Sequence, residues 1–169
     1  MTDFASEMLG IAGRTFVILG AGQGIGYACT ELFSGLGANL VLVDREAEFA
    51  QQAAEKFGGL ALSGDVTDRK TVADLMKKAA EAGGGKIDGV VDIVGVADVR
   101  PMLEFDDESW DRQFDIVVRH VFLALQEATP YMKDGGSFAF VSSMTGHRGP
   151  EHQVVYGAAK AALDHLVRG

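Results

Sequence analysis

Short apolar runs alternate with longer amphipathic stretches along the whole chain. Arg14 to Leu19 reads as a buried strand and Asn39 to Val43 as a second. Leu60 to Ser63 is a shorter third, Ile87 to Val94 a fourth and Ser137 to Val141 a fifth. None of them alternates strictly between apolar and polar positions, which is the signature of strands covered on both faces. Between them, apolar residues recur at helical spacing over Ile25 to Leu36, Ala47 to Phe57, Thr71 to Ala82 and Ser109 to Ala128. A last helix opens near Val154. Strands and helices in strict alternation predict right-handed βαβ units and an α/β, Rossmann-like doubly wound parallel sheet. No internal repeat and no linker-like break divides residues 1–169, and Gly83-Gly84-Gly85 reads as a turn between helix and strand.

Composition narrows the picture. With 169 residues, 47% of them hydrophobic, the chain can bury a substantial core and is neither disordered nor fibrous. A net charge of −9 argues against nucleic acid or an anionic membrane surface as partner. No apolar run is long enough to span a bilayer, and the first ten residues do not resemble a secretory signal. Cys29 is the only cysteine, so no internal disulfide can form. These features predict a soluble protein of a reducing compartment, the cytoplasm.

The candidate chemistry lies at the ends of the strands. Gly20-Ala21-Gly22-Gln23-Gly24-Ile25-Gly26 follows the first strand and enters the first helix. That context suits a dinucleotide-binding turn: Gly20 permits the tight turn, Gly24 lets a pyrophosphate approach the backbone, and Gly26 lets the helix pack closely. The helix N-terminus, with Ile25 in its first turn, offers free N–H groups to phosphate. Asp44 ends the second strand, where a carboxylate accepts hydrogen bonds from the adenosine ribose and repels a 2′-phosphate. Arg45 follows and would welcome that phosphate, so the balance favours NAD over NADP without closing the question. After the third strand, Asp65-Val66 either caps the next helix or reaches the adenine edge.

Further on, Ser142-Ser143 ends the fifth strand, and Tyr156-Gly157-Ala158-Ala159-Lys160 opens the last helix. A free tyrosine has a pKa of about 10, too high for an efficient base near neutrality. Lys160 is four residues from Tyr156, on the same helical face, where its ammonium stabilises the tyrosinate. A fall of about 2–3 units corresponds to about 3–4 kcal/mol of differential stabilisation. Ser143 is placed to hold a substrate oxygen. Each feature alone has an ordinary explanation, a surface pair or a turn hydroxyl; together and in this order they read as an acid/base site beside a dinucleotide.

On these residues the chain resembles the short-chain dehydrogenase/reductase family, over nearly its whole length. Gly20, Gly24 and Gly26 match the family's glycine motif, with Leu19 where threonine is usual. Asp65 matches the acid near adenine. Ser143, Tyr156 and Lys160 match the catalytic serine, tyrosine and lysine in order and spacing. The resemblance implies hydride transfer at the nicotinamide of NAD(P)(H), interconverting a secondary alcohol and a ketone. Tyr156 would exchange the substrate proton, and Ser143 would position the carbonyl or alcohol. Lys160 would bind the nicotinamide ribose and tune Tyr156. Gln23 stands where members using NADP often place a basic residue, which agrees with Asp44 and NAD. The resemblance also implies a homodimer or homotetramer with a small-molecule alcohol or ketone as substrate.

Three departures stand out. The family's Asn-Asn-Ala-Gly segment is Asp92-Ile93-Val94-Gly95 here, with only Gly95 kept and Asp92 expected to accept a backbone N–H. Val117 aligns with the asparagine that anchors a water of the family's proton relay, so a rerouted or weakened relay is expected. The sequence stops at Gly169, inside the last helix. Family members continue with two more strands and a substrate loop, so the expectation is a domain lacking its last strands, with the fifth strand an apolar edge. Among the remaining residues, His147 and His152 are expected in a surface loop or lining a substrate pocket, with unconvincing metal spacing. Met144 and Val96 form either a pocket wall beside Ser143 or ordinary core, and Trp110 core or interface. Against the enzyme stands one alternative, a dinucleotide-binding scaffold or regulatory protein on the same fold, its catalysis weakened at Val117 and Asp92.

Overall fold

The computed structural model describes residues 8–168. Five strands form one parallel sheet: β1 Thr15–Leu19, β2 Asn39–Asp44, β3 Leu60–Ser63, β4 Gly89–Asp92 and β5 Ser137–Phe140. Their order is β3-β2-β1-β4-β5. The helices that matter below are α1 Gly24–Gly35, α2 Ala47–Phe57, α3 Arg69–Ala82, α4 Asp107–Phe114, α5 His120–Ala128 and α6 Val154–Leu166.

The absence of strict alternation in the strands now has its reason. Every residue of β1 is buried, but successive side chains go to opposite faces. Val17 and Leu19 pack with Val41 and Val43 against Val72, Met76 and Ala79 of α3 and Leu123 and Ala124 of α5. Phe16 and Ile18 pack with Leu40 and Leu42 against Cys29 and Phe33 of α1 and Ala53 of α2. Each large side chain so enclosed contributes about 1.5–3 kcal/mol. The sheet is thus sandwiched between two helical layers, as a doubly wound sheet requires. At its far side β5 pairs with β4, and Phe138 and Phe140 stack at 5.9 Å, both half-buried.

Two elements differ from the sequence expectation. The fourth strand is Gly89–Asp92, shorter than Ile87 to Val94. Before it, the Asp88 carboxylate takes the Thr15 N–H at 2.8 Å. After it, the Asp92 side chain takes the Val94 N–H at 3.0 Å, which turns the chain out of the ladder. The long helix expected over Ser109 to Ala128 begins earlier and is interrupted. Asp106 and Ser109 form a reciprocal capping box that starts α4 at Asp107. A π-helical turn, Asp115–Arg119, then separates α4 from α5. Such turns concentrate at functional sites, and Val117 lies in this one, fully buried.

Candidate functional site

A cleft of about 1150 Å³ opens along the carboxyl ends of β1, β2, β3 and β4. This is the crevice where doubly wound sheets bind ligands, because the connections on either side of β1 diverge there. Gly20, Gln23, Asp44, Arg45, Asp65, Val66 and Gly95 all line it. Gly24, Ile25 and Gly26 lie in the first turn of α1, beside the lining residues Gly20 and Gln23.

The glycine turn is held by close contacts. A Cβ on Gly26 would stand 1.9 Å from the Gly20 carbonyl oxygen, so only glycine lets α1 start so near β1. Gly24 has φ +56°, and nothing lies within 4 Å of the position its Cβ would take. Space over the helix N-terminus is therefore free for a phosphate group. Asp44, 9% exposed, uses its carboxylate inwardly as well: Oδ2 accepts the Gly22 N–H at 3.0 Å and Oδ1 the Glu46 N–H at 3.2 Å. The acid expected to meet a ribose also clamps the turn that would hold the phosphates. Arg45 is exposed and ion-paired with Glu46 at 3.3 Å. The fit to a dinucleotide is good: an open helix N-terminus, a carboxylate at the end of β2 and one continuous cleft.

Asp65 does not cap α3. Its Oδ1 accepts from the Thr67 N–H and hydroxyl at 2.8 and 2.7 Å, and the cap is Asp68, which accepts the Thr71 N–H at 2.8 Å. Asp65 stays instead on the cleft wall.

At the other end, α6 carries Tyr156, half-buried, and Lys160, 3% exposed. The Lys160 ammonium lies 5.8 Å from the centre of the Tyr156 ring and donates to the Val141 carbonyl at 2.6 Å. It also backs onto the cleft, because a Cβ on Gly95 would be 3.5 Å from its Nζ. Burial pushes Lys160 below the ordinary lysine range, while the carboxylates of Asp92 and Asp164 pull it back up. Ser143 Oγ accepts from the Thr145 N–H at 3.2 Å and the Thr145 hydroxyl at 2.8 Å, which leaves its own proton for another acceptor. The short turn Met144–Gly146 that follows Ser143 packs onto α6. It can do so because Gly157 has no Cβ, which would stand 2.8 Å from the Thr145 carbonyl oxygen. Tyr156 and Lys160 are thus neighbours, and Ser143 is brought to their helix; none of the three is among the residues that line the cleft.

Sequence reasoning missed two groups. His120 is buried at the start of α5, 1% exposed, and its Nε2 straddles the Asp92 carboxylate at 3.2 Å from Oδ1 and 3.1 Å from Oδ2. Asp92 does take a backbone N–H, from Val94, as expected, but it has this second partner 28 residues away. Gln113, 2% exposed, is the other: its amide donates to the Val96 carbonyl at 2.8 Å and accepts the Asp98 N–H at 2.7 Å. It fastens the segment after β4 to α4. A polar residue at an inward helical position was the available signal in both cases.

The minor candidates fall into place. Val96 lines the cleft and is 67% exposed, and Met144 is 61% exposed, so neither belongs to the core. Trp110 is not core either; it is 42% exposed and stacks on Phe114. His147 and His152 are surface residues, the former 3.0 Å from Asp164 and the latter 3.7 Å from Glu151. No helix among the described residues is long and apolar enough to cross a membrane.

Comparison with known proteins follows the same lines. Residues 20–169 match a family model described as enoyl-(acyl carrier protein) reductase. The chain is 37% identical over 164 residues to a cis-4-hydroxycyclohexanecarboxylate dehydrogenase of Sinomonas cyclohexanicum, covering 93% of this chain and 66% of that one. It is 31% identical over 159 residues to a cyclic-di-GMP-binding biofilm dispersal mediator protein of Escherichia coli, covering 93% and 65%. Among solved structures, a short-chain dehydrogenase/reductase described as a glucose/ribitol dehydrogenase from Brucella melitensis superposes with a TM-score of 0.88 at 31% identity, covering 94% and 68%. The chain therefore spans about two thirds of the length of these relatives.

Proposed function

The chain belongs to the short-chain dehydrogenase/reductase family of oxidoreductases, and from that premise we propose that it interconverts a secondary alcohol and a ketone with NAD(H). One observation carries the reading. The buried Lys160 ammonium backs onto the cleft at Gly95 and lies beside the Tyr156 ring. A dinucleotide cleft and an acid/base pair thereby meet at one residue.

NAD(H), when bound, supplies the hydride chemistry that no side chain here possesses. The residues of the chain do the rest. The first turn of α1, with Gly24 open to solvent, receives the phosphates. Asp44 meets the adenosine ribose and disfavours a 2′-phosphate, while Gln23 and Arg45 border the same end. Asp65 and Val66 wall the adenine side, and Gly95 floors the reacting end. Tyr156 exchanges a proton with the substrate oxygen: it donates as a carbonyl is reduced and accepts as an alcohol is oxidised. Lys160 favours the tyrosinate by its charge, and Ser143, with its proton uncommitted, holds the substrate oxygen. Val117 offers no hydrogen bond to a relay water, so the proton leaves this centre by another route. The protein that performs this acts as a cytoplasmic homodimer or homotetramer on a small alcohol or ketone.

Titration with NADH and NADPH, followed by Trp110 fluorescence or calorimetry, tests the cofactor assignment. Tighter binding of NADH supports it; binding of neither removes it. Tyr156→Phe then separates the enzyme from the second reading, a nucleotide-binding regulator. That reading draws on Val117 and on the similarity to a cyclic-di-GMP-binding protein. An enzyme keeps NADH affinity and loses turnover in this variant, whereas a regulator has no turnover to lose.

A further inference from the structure

We propose that Asp92 is a positioning residue for Lys160 and for the 93–95 segment of the cleft, and that His120 is the group that holds Asp92 in this posture. Two contacts of its own place Asp92 at the junction. Its side chain takes the Val94 N–H at 3.0 Å and so shapes the segment that ends at Gly95. Its backbone carbonyl accepts the Val141 N–H at 3.2 Å, and the Val141 carbonyl accepts the Lys160 ammonium at 2.6 Å. Gly95 itself lies against that ammonium. Asp92 therefore touches both walls between which Lys160 is held.

A carboxylate 2% exposed needs a partner. His120 supplies it at Oδ1, with Nε2 donating because an ionised carboxylate can only accept, while Oδ2 lies 3.1 Å from the same nitrogen and has no hydrogen bond among the described residues. His120 Nδ1 has no hydrogen-bond partner among the described residues. Among the described residues the imidazole thus makes its hydrogen bond to Asp92 alone. An aliphatic side chain would fill the same buried position more cheaply, unless the charge of Asp92 is required.

The charge has a recipient. Lys160 is opposed by burial and supported by Asp92 from β4 and by Asp164 from its own helix. Asp164 is in turn 3.0 Å from His147. The π turn that also packs on α6 offers nothing comparable: Val117 is apolar, and the half-buried Asp115 and exposed Arg119 face each other at 3.8 Å. Without Asp92, Lys160 would keep a single carboxylate, one already shared with a histidine. The functional weight of the pair rests on the assignment of Lys160 to the reacting centre; the electrostatic link does not.

The experiment is therefore done on the cofactor-free protein. Lysine is isotope-labelled at Cε, the Lys160 resonance is assigned with Lys160→Arg, and its titration midpoint is read by NMR. Asp92→Asn keeps one acceptor oxygen for the Val94 N–H but removes the charge, and lowers the Lys160 midpoint by about one unit. His120→Ala, which leaves the carboxylate charged but without the donor that offsets it, moves the midpoint the other way, upward, and His120→Gln, which returns an N–H, restores it. The histidine variants carry the test even if Asp92→Asn does not fold, and circular dichroism establishes which variants do. An unchanged midpoint in a folded Asp92→Asn or His120→Ala overturns the proposal, as does a His120→Gln that behaves like alanine. Because no cofactor or turnover is involved, a protein that fails to bind NADH would sink the proposed activity and leave this result standing.

Discussion

The two ends of the cleft are built by different means. The end formed by β1, α1 and β2 is made of backbone: a turn at Gly20–Gly26, a helix N-terminus, and Asp44 clamping the Gly22 and Glu46 amides. The end formed by β4, α4, α5 and α6 is made of buried side chains: Asp92 on His120, Gln113 on Val96 and Asp98, and Lys160 on Val141. The first depends on atoms being absent, the second on polar groups being paired. Failure at the first end is steric and failure at the second is electrostatic.

Substitutions can sharpen that contrast. The largest effect is expected at the reacting pair, where Tyr156→Phe should lower turnover by about 10²–10⁴-fold with NADH affinity retained, measured by initial rates beside calorimetry. Next, His120→Ala should cost about 3 kcal/mol in denaturant unfolding, because a buried carboxylate loses its partner, and His120→Gln should recover much of it. Gly26→Ala, whose Cβ would meet the Gly20 carbonyl oxygen, should cost about 1–3 kcal/mol and also abolish NADH binding. If Gly26→Ala retained binding, the backbone end would be less exacting than its contacts imply. A smaller change is expected at Asp44→Asn, which loses the charge and keeps only one of the two oxygens that accept from Gly22 and Glu46. It should narrow the preference for NADH over NADPH by about tenfold, one unit of differential charge interaction, read from the ratio of the two dissociation constants. The smallest change in turnover belongs to Val117→Asn. This buried site would cost about 1–3 kcal/mol of stability for an unpaired amide, and a gain in rate would instead show that relay loss limits the protein.

Legibility in the sequence followed the same division. Glycine spacing after an apolar run announced the backbone end, because a turn that tolerates no Cβ can be met by one residue type alone. The strand and helix bounds of β2, β3 and α2 came close to the sequence pattern for a similar reason: burial on two faces or one leaves a periodic trace. The paired end left no such trace. Asp92 reads as an ordinary strand-end acceptor, and His120 as one position in an amphipathic helix. Their link is visible only when β4 and α5 are laid together. The π turn at Asp115–Arg119 was equally hidden, since apolar periodicity runs through it without a break. Asp68 displaced Asp65 as the cap of α3 because two acids three residues apart compete for one helix start, and the backbone chose the nearer.

The strand order carries a consequence for how the molecule comes to exist. β1, β2 and β3 are successive neighbours joined through single helices, so the backbone end of the cleft can assemble from a contiguous stretch of chain. The other side of β1 must wait for β4: the Thr15–Asp88 bond joins residues 73 apart. Closing so long a loop is entropically slow, and only then can β5 add and α6 dock. In a refolding experiment with pulsed hydrogen exchange, amides of Phe16–Val43 should be protected in an earlier phase than those of Val90, Val91 and Ala139. A nucleotide-receiving half would then form before the half meant to use it.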